Sequence, residues 1–176
     1  STFQSWQNLL AVIITLNLSQ GVFNNGMLDF KDNRDEFQLA LLMISSILTI
    51  IFFISFVLFE KEFLDLFEMP AIMIVVMGLY FLFVPAYQFW SGRQRYEYKY
   101  KALTLITIGI GFFSLILGVI LVLMAPNDSA AVARVCAMEG VNIAVGIFFY
   151  IYTFVKARCH VRVSYCLYAL KFNVPL

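Results

Sequence analysis

From Ala102 to Met124 the sequence carries no charged side chain. A bilayer core about 30 Å thick is crossed by about 20 apolar residues of helix, and this run meets that length. Lipid offers backbone groups no hydrogen-bond partner, so a spanning segment must satisfy itself as a helix or close into a barrel. Barrel strands alternate over about ten residues, whereas this run is continuously apolar, which predicts a helix.

Four further stretches approach the same length, at about 5–25, 37–59, 70–90 and 130–155, beside this one at 102–124. The sequence therefore predicts an all-α integral membrane protein. It forms a single domain over residues 1–176, a bundle of five transmembrane helices with a juxtamembrane tail at 156–176. Composition agrees: 62% of residues are hydrophobic and 13% charged, more apolar surface than one aqueous core can hide. The first stretch is the most polar. Gln4, Asn8, Thr15 and Ser19 share one helical face, which predicts a span with that face turned into the bundle. The alternative is an amphipathic helix at the interface, leaving four spans.

Of the 12 lysines and arginines, all but Lys61 and Arg134 fall on one side of this scheme. The joints "DFKDNRDE" and "GRQRYEYKYK" and the tail share that side, while "EKEFLDLFE" on the other is acidic. The positive-inside rule puts the basic side and the C-terminus in the cytoplasm. Within the third joint, charge alternates with tyrosine. It lies between two spans and has no partner strand, so Trp90, Arg93, Arg95, Tyr96, Tyr98, Lys99, Tyr100 and Lys101 are expected to form an interfacial anchor, joined by Tyr87 in an aromatic belt.

Small residues recur at helical spacing. Thr104, Thr107, Gly111, Ser114 and Gly118 form one seam, and Ala130, Ala133, Ala137, Gly140 and Ala144 another. Such residues let helix backbones approach in lipid, so the two helices are expected to pack as an antiparallel pair through these seams. On this reading Gly118→Leu disrupts the pair. The rival is that one seam receives a helix from another protein.

Glu139 and Asn142 lie on one side of the last span. An intramembrane carboxylate suggests an ion or partner contact, and its alternative is a group near enough to the interface to reach water or Arg134. Pro85 is expected to kink the third span. Asn127-Asp128-Ser129 suits a helix N-cap and also fits a glycosylation acceptor; Asn17-Leu18-Ser19 fits the acceptor pattern too. Cys159 and Cys166 sit where reversible palmitoylation occurs, and with His160 they make a poor metal set. The apolar tail is expected at the headgroup level or against another protein, and its ending Val174-Pro175-Leu176 is a weak match to a groove-binding terminus.

No nucleotide loop or His-Glu-x-x-His motif appears, and net charge is only +1, so no catalytic residue, cofactor, metal or nucleic acid is assigned. The short outer joints leave no room for the cysteine-paired loops of tetraspanins and claudins. The expected role is a non-catalytic membrane subunit or scaffold. Its partners would be the lipid bilayer and other membrane subunits or further copies of itself. The alternative is an oligomeric channel or transporter component.

Overall fold

The structure is a computed structural model that describes residues 2–16, 18, 21–126, 129–158 and 160–173. The described residues form eight α-helices: α1 Thr2–Thr15, α2 Gly21–Asp29, α3 Arg34–Leu58, α4 Glu60–Phe67, α5 Ala71–Tyr96, α6 Tyr100–Met124, α7 Ala130–Lys156 and α8 Val163–Asn173, with a 3-10 turn, Lys31–Asn33, before α3. The four long ones, α3, α5, α6 and α7, are apolar enough to cross a bilayer.

The first expected span is not one helix. Helix α1 has 14 residues and α2 has 9. At 1.5 Å per residue α1 is about 21 Å long, too short for a bilayer core by itself. The helix stops at Leu16, whose φ of 47° leaves the right-handed region. The pair still runs from one end of the bundle to the other. Trp6 on α1 meets Phe67 at the end of α4, and Asp29 at the end of α2 accepts a hydrogen bond from Tyr168 on α8. The face turned inward also differs from the expected one. Phe3, Gln7 and Ile14 are buried, whereas Gln4 and Asn8 are exposed. Thr15 donates to the Ala11 carbonyl, and Ser19 lies outside the described residues.

Two joints are more ordered than their composition suggests. "EKEFLDLFE" forms α4, whose Phe63 and Phe67 turn inward to pack with Phe52, Phe56 and Trp6 while its acids face out. Glu68 ends α4 in the left-handed conformation (φ 50°), and Pro70 follows at the N-cap of α5. The tail folds back as α8 onto α2 and α3 of the same chain, burying Tyr165 and Ala169. It need not borrow another protein to cover that face.

Two apolar clusters fill the bundle. One joins Leu18, Phe23, Met27, Phe37, Phe89 and Phe149; the other joins Phe3, Phe56, Met73, Met77 and Phe81, and Leu48 touches both. Helix α7 packs mainly on α5 and α6, and α3 packs on α5 and also touches α7. Among the glycines, the close approach to another helix's backbone is between α5 and α7. A Cβ placed on Gly146 would sit 2.7 Å from the Phe83 carbonyl carbon. Glycine is required there because the neighbour is helix backbone, which cannot turn aside. Helix α5 continues through Pro85, which is buried.

Helix α6 is peripheral. Only Leu103 of its residues is buried, and its principal neighbour is α7. The expected antiparallel α6–α7 pair is therefore present, but the seams do not make its closest contact. Cβ atoms on Gly111, Gly118 and Gly140 would meet nothing within 4 Å. Thr104, Thr107 and Gly111 are exposed, and Ser114 and Gly118 half-buried. Branched residues such as Ile106, Ile110 and Leu117 face Val141, Ala144 and Val145 across an apolar groove of about 440 Å³. These bulky side chains hold the backbones apart.

Candidate functional site

A cavity with a partly polar wall lies where α1, α5 and α7 begin, at the end carrying the acidic α4. Its volume is about 570 Å³, and Gln4, Glu68, Arg134 and Glu139 share its lining with Phe3, Met73 and Met138. Glu139 reaches it from the third turn of α7. Gln7 Nε2 on α1 donates to one carboxylate oxygen at 3.3 Å, and Asn142 Nδ2 donates to the other at 3.1 Å. The i, i+3 spacing on α7 brings Asn142 beside Glu139. Gln7 is buried, 8% exposed, so α1 is pinned to α7 by a side-chain amide with no easy alternative partner. The sequence pointed to Glu139 and Asn142, and the structure adds Gln7. Its signal was legible in retrospect: Phe3, Gln7, Leu10 and Ile14 keep helical spacing and are mainly apolar.

At the opposite end the three basic segments converge. Arg93 pairs with Asp35 and, through Nε at 2.7 Å, with Glu97. Lys156 Nζ lies 3.4 Å from Asp35, and Arg162 Nε 2.7 Å from Glu36. The Arg34 guanidinium sits 4.8 Å from the centre of the Tyr96 ring. Hydrogen bonds from Lys99 and Arg93 hold the Glu97 carboxyl down to about 2, below its usual 4.5. The "RQRYEYKYK" stretch is thus a helix end, a turn and a helix start. Tyr98 makes the turn at φ 57°. Arg95, Tyr98, Lys99, Tyr100 and Lys101 are exposed, as an interfacial anchor requires. Trp90 is not part of that surface. It is 8% exposed, its ring 4.3 Å from that of Phe149, because its helix face points at α7. Tyr87 stacks beside it and shares a hydrogen bond with Thr107 on α6, so the expected aromatic belt is partly core.

Between the ends runs a buried polar file that the sequence left unassigned. Gln38 Nε2 donates to Thr153 Oγ1 at 3.4 Å, and Ser46 and Tyr150 hydroxyls meet at 3.0 Å. These bonds tie α3 to α7 through the middle of the bundle. Ser129 stands at the N-cap of α7 but caps nothing with its side chain; its hydroxyl donates back to Pro126. Asn127, Asp128, Asn17, Ser19, Cys159 and Val174-Pro175-Leu176 lie outside the described residues, and with them both glycosylation patterns, most of the capping motif and the terminal groove-binding motif. Cys166 is half-buried against α3, and burial raises its thiol pKa, which lowers the thiolate fraction an acylating reagent needs. Among the described residues no group of three His, Cys, Asp or Glu side chains is arranged to hold a metal. No family model matches the chain, and no curated protein or solved structure does so either.

Proposed function

We propose that this chain is a non-catalytic, multi-pass membrane subunit or scaffold, seated in a bilayer with its basic end and C-terminus on the cytoplasmic side. Its outer helix packs against partner membrane helices. The observation that carries this reading is α6. That helix buries one residue within the chain, leaves Thr104 exposed, and has nothing within 4 Å of a Cβ added at Gly111 or Gly118. Small residues at helical spacing are what a second helix needs for close approach in lipid. The partner is another membrane subunit or a second copy of this chain.

Mild-detergent extraction followed by native mass spectrometry tests it. The expected result is a complex that Gly111→Leu and Gly118→Leu dissolve without unfolding the chain. Extraction as a monomer from cells, unaffected by either variant, would count against the reading. Orientation is tested by impermeant thiol reagents on intact cells, which should modify Cys136 and spare Cys159 and Cys166.

A second reading is an oligomeric channel or transporter component. It is favoured by the interrupted α1–α2 pair running beside the Gln7–Glu139–Asn142 contacts, since broken helices commonly line solute sites in transporters. Ion flux in liposomes that Glu139→Gln abolishes would establish it in place of the scaffold.

A further inference from the structure

The two ends of the bundle treat their charges differently. At the basic end Asp35, Glu36 and Glu97 each have a cationic partner. At the acidic end, among the described residues, Glu68, Arg134 and Glu139 have no ion-pair partner within 4 Å. Yet all three line one cavity of about 570 Å³. That volume lies within the range of about 300–1,000 Å³ typical of small-molecule sites. The cavity thus presents a cation and two carboxylates to whatever enters, beside the thioethers of Met73 and Met138.

We propose that this cavity binds the headgroup of a zwitterionic phospholipid bearing a primary ammonium, an ethanolamine-type lipid, drawn from the leaflet at the acidic end. The proposal rests on the chain's insertion in a bilayer, and not on the α6 contact. Arg134 meets the phosphate. It stands one turn into α7, whose N-terminal end, also lining the cavity at Ala131, favours negative charge. The ammonium donates to Glu139 and Glu68. Glu139 already accepts from Gln7 and Asn142, but an ionised carboxylate has about four acceptor sites, so two amides orient it without saturating it. A quaternary choline group cannot donate, and it is recognised by a cage of aromatic faces; among the described residues Phe3 is the single aromatic on the wall. An anionic lipid lacking an ammonium would leave both carboxylates opposed to its phosphate. The methionines offer flexible apolar surface to the glycerol and first acyl carbons.

The test uses the full chain in mild detergent, titrated with phosphatidylethanolamine, phosphatidylglycerol or phosphatidylcholine of matched acyl chains and read by native mass spectrometry. The ethanolamine lipid should bind at least about tenfold more tightly than either rival, the effect of one charged hydrogen bond. Arg134→Gln and Glu139→Gln should each cost about tenfold in that affinity, while Glu139→Asp recovers part of it and Lys171→Gln changes nothing. If Glu139→Gln fails to fold, Glu68→Gln, an exposed position, carries the same expectation. Equal binding of the glycerol lipid, or indifference to Arg134→Gln, would overturn the site. Displacement of the lipid by glycerophosphoethanolamine at equal concentration would show a site for the free headgroup and overturn the lipid assignment. Release of the protein from membranes by alkaline carbonate would refute bilayer insertion instead, a failure distinguishable from these.

Discussion

Replacing Gly146 by alanine should destabilise the bundle, whereas the same change at Gly118 should not. The added Cβ at Gly146 would lie 2.7 Å from the carbonyl carbon of Phe83, 2.8 Å from its oxygen and 3.0 Å from its Cβ. Carbon atoms in contact rest about 3.5–4.0 Å apart, so α5 and α7 must separate by about 1 Å to admit the methyl. Backbone lies on both sides, and no rotamer change relieves the clash. Overpacking of this kind costs about 1–3 kcal/mol, and the separation would also loosen the Trp90–Phe149 contact, now 4.3 Å between ring centres. Alanine recovers up to about 1 kcal/mol in helix propensity, leaving a net loss of up to about 2 kcal/mol. At Gly118 nothing lies within 4 Å, so only the propensity gain remains. The propensity gain is common to both, so the two single-methyl variants should differ by the overpacking cost, about 1–3 kcal/mol. Unfolding by sodium dodecyl sulfate in mild-detergent micelles, followed by tryptophan fluorescence, reads this directly, because Trp90 packs on Phe149 and Trp6 on Phe67. Equal stability of the two variants would refute the close α5–α7 approach at Gly146. Unfolding by Gly118→Leu would restore the seam as the α6–α7 interface.

Glu97 supplies a pH dependence. Its carboxyl titrates at about 2 in the fold against 4.5 ordinarily, so its contribution is present above pH 4.5 and lost as pH falls through about 2. Glu97→Gln should flatten that part of an acid-unfolding profile. Tyr168 shows the opposite sense. Burial, and then its hydrogen bond to Asp29, raise its hydroxyl from 10.0 to about 12, so the contribution is complete below pH 10.0 and is lost as pH rises through about 12. Tyr168→Phe should remove this alkaline loss and speed amide exchange in α8 and α2 at neutral pH. Gln7→Leu should cost about 1 kcal/mol by depriving Glu139 of a donor, and should raise proteolysis within α1 while α5 and α7 stay protected.

Long apolar runs made four helices legible in the sequence because lipid permits so few backbone solutions. The lengths of α3, α5, α6 and α7 follow from that constraint within a few residues. The break between α1 and α2 was not legible, since no proline or charge marks Leu16. The left-handed φ at that leucine is held by packing, with Leu16 and Leu18 set against the cluster of Phe37 and Phe89. Helix α4 was masked by its acids, whose spacing leaves Phe63 and Phe67 on one face. Small residues misled for a physical reason. A glycine on the outer surface of a bundle and a glycine at a helix crossing look alike in sequence. Gly111 and Gly118 are the first kind within this chain, and Gly146, outside the regular seam, is the second. At the candidate site, Glu139 and Asn142 were visible as polar groups in apolar surroundings, but Gln7 was one amide among several on α1.

The asymmetry between the ends bears on what the molecule can respond to. At the basic end each carboxylate of the Asp35–Glu36–Glu97 group is engaged, and Lys156 and Arg162 tie the end of α7 and the approach to α8 onto α3. Opening that end means separating several ion pairs together. At the acidic end α1 is attached to α7 through one amide-to-carboxylate hydrogen bond, beside a cavity whose Glu68, Arg134 and Glu139 have no ion-pair partner within 4 Å among the described residues. A single hydrogen bond contributes about 1 kcal/mol, and Glu139 keeps acceptor sites beyond those used by Gln7 and Asn142, so a ligand adds to that contact without displacing it. Helix α1 itself is seated by buried Phe3 and Ile14 and by the Trp6–Phe67 contact. Because α1 continues into α2, which packs on α8, a change at one end has a covalent route to the other.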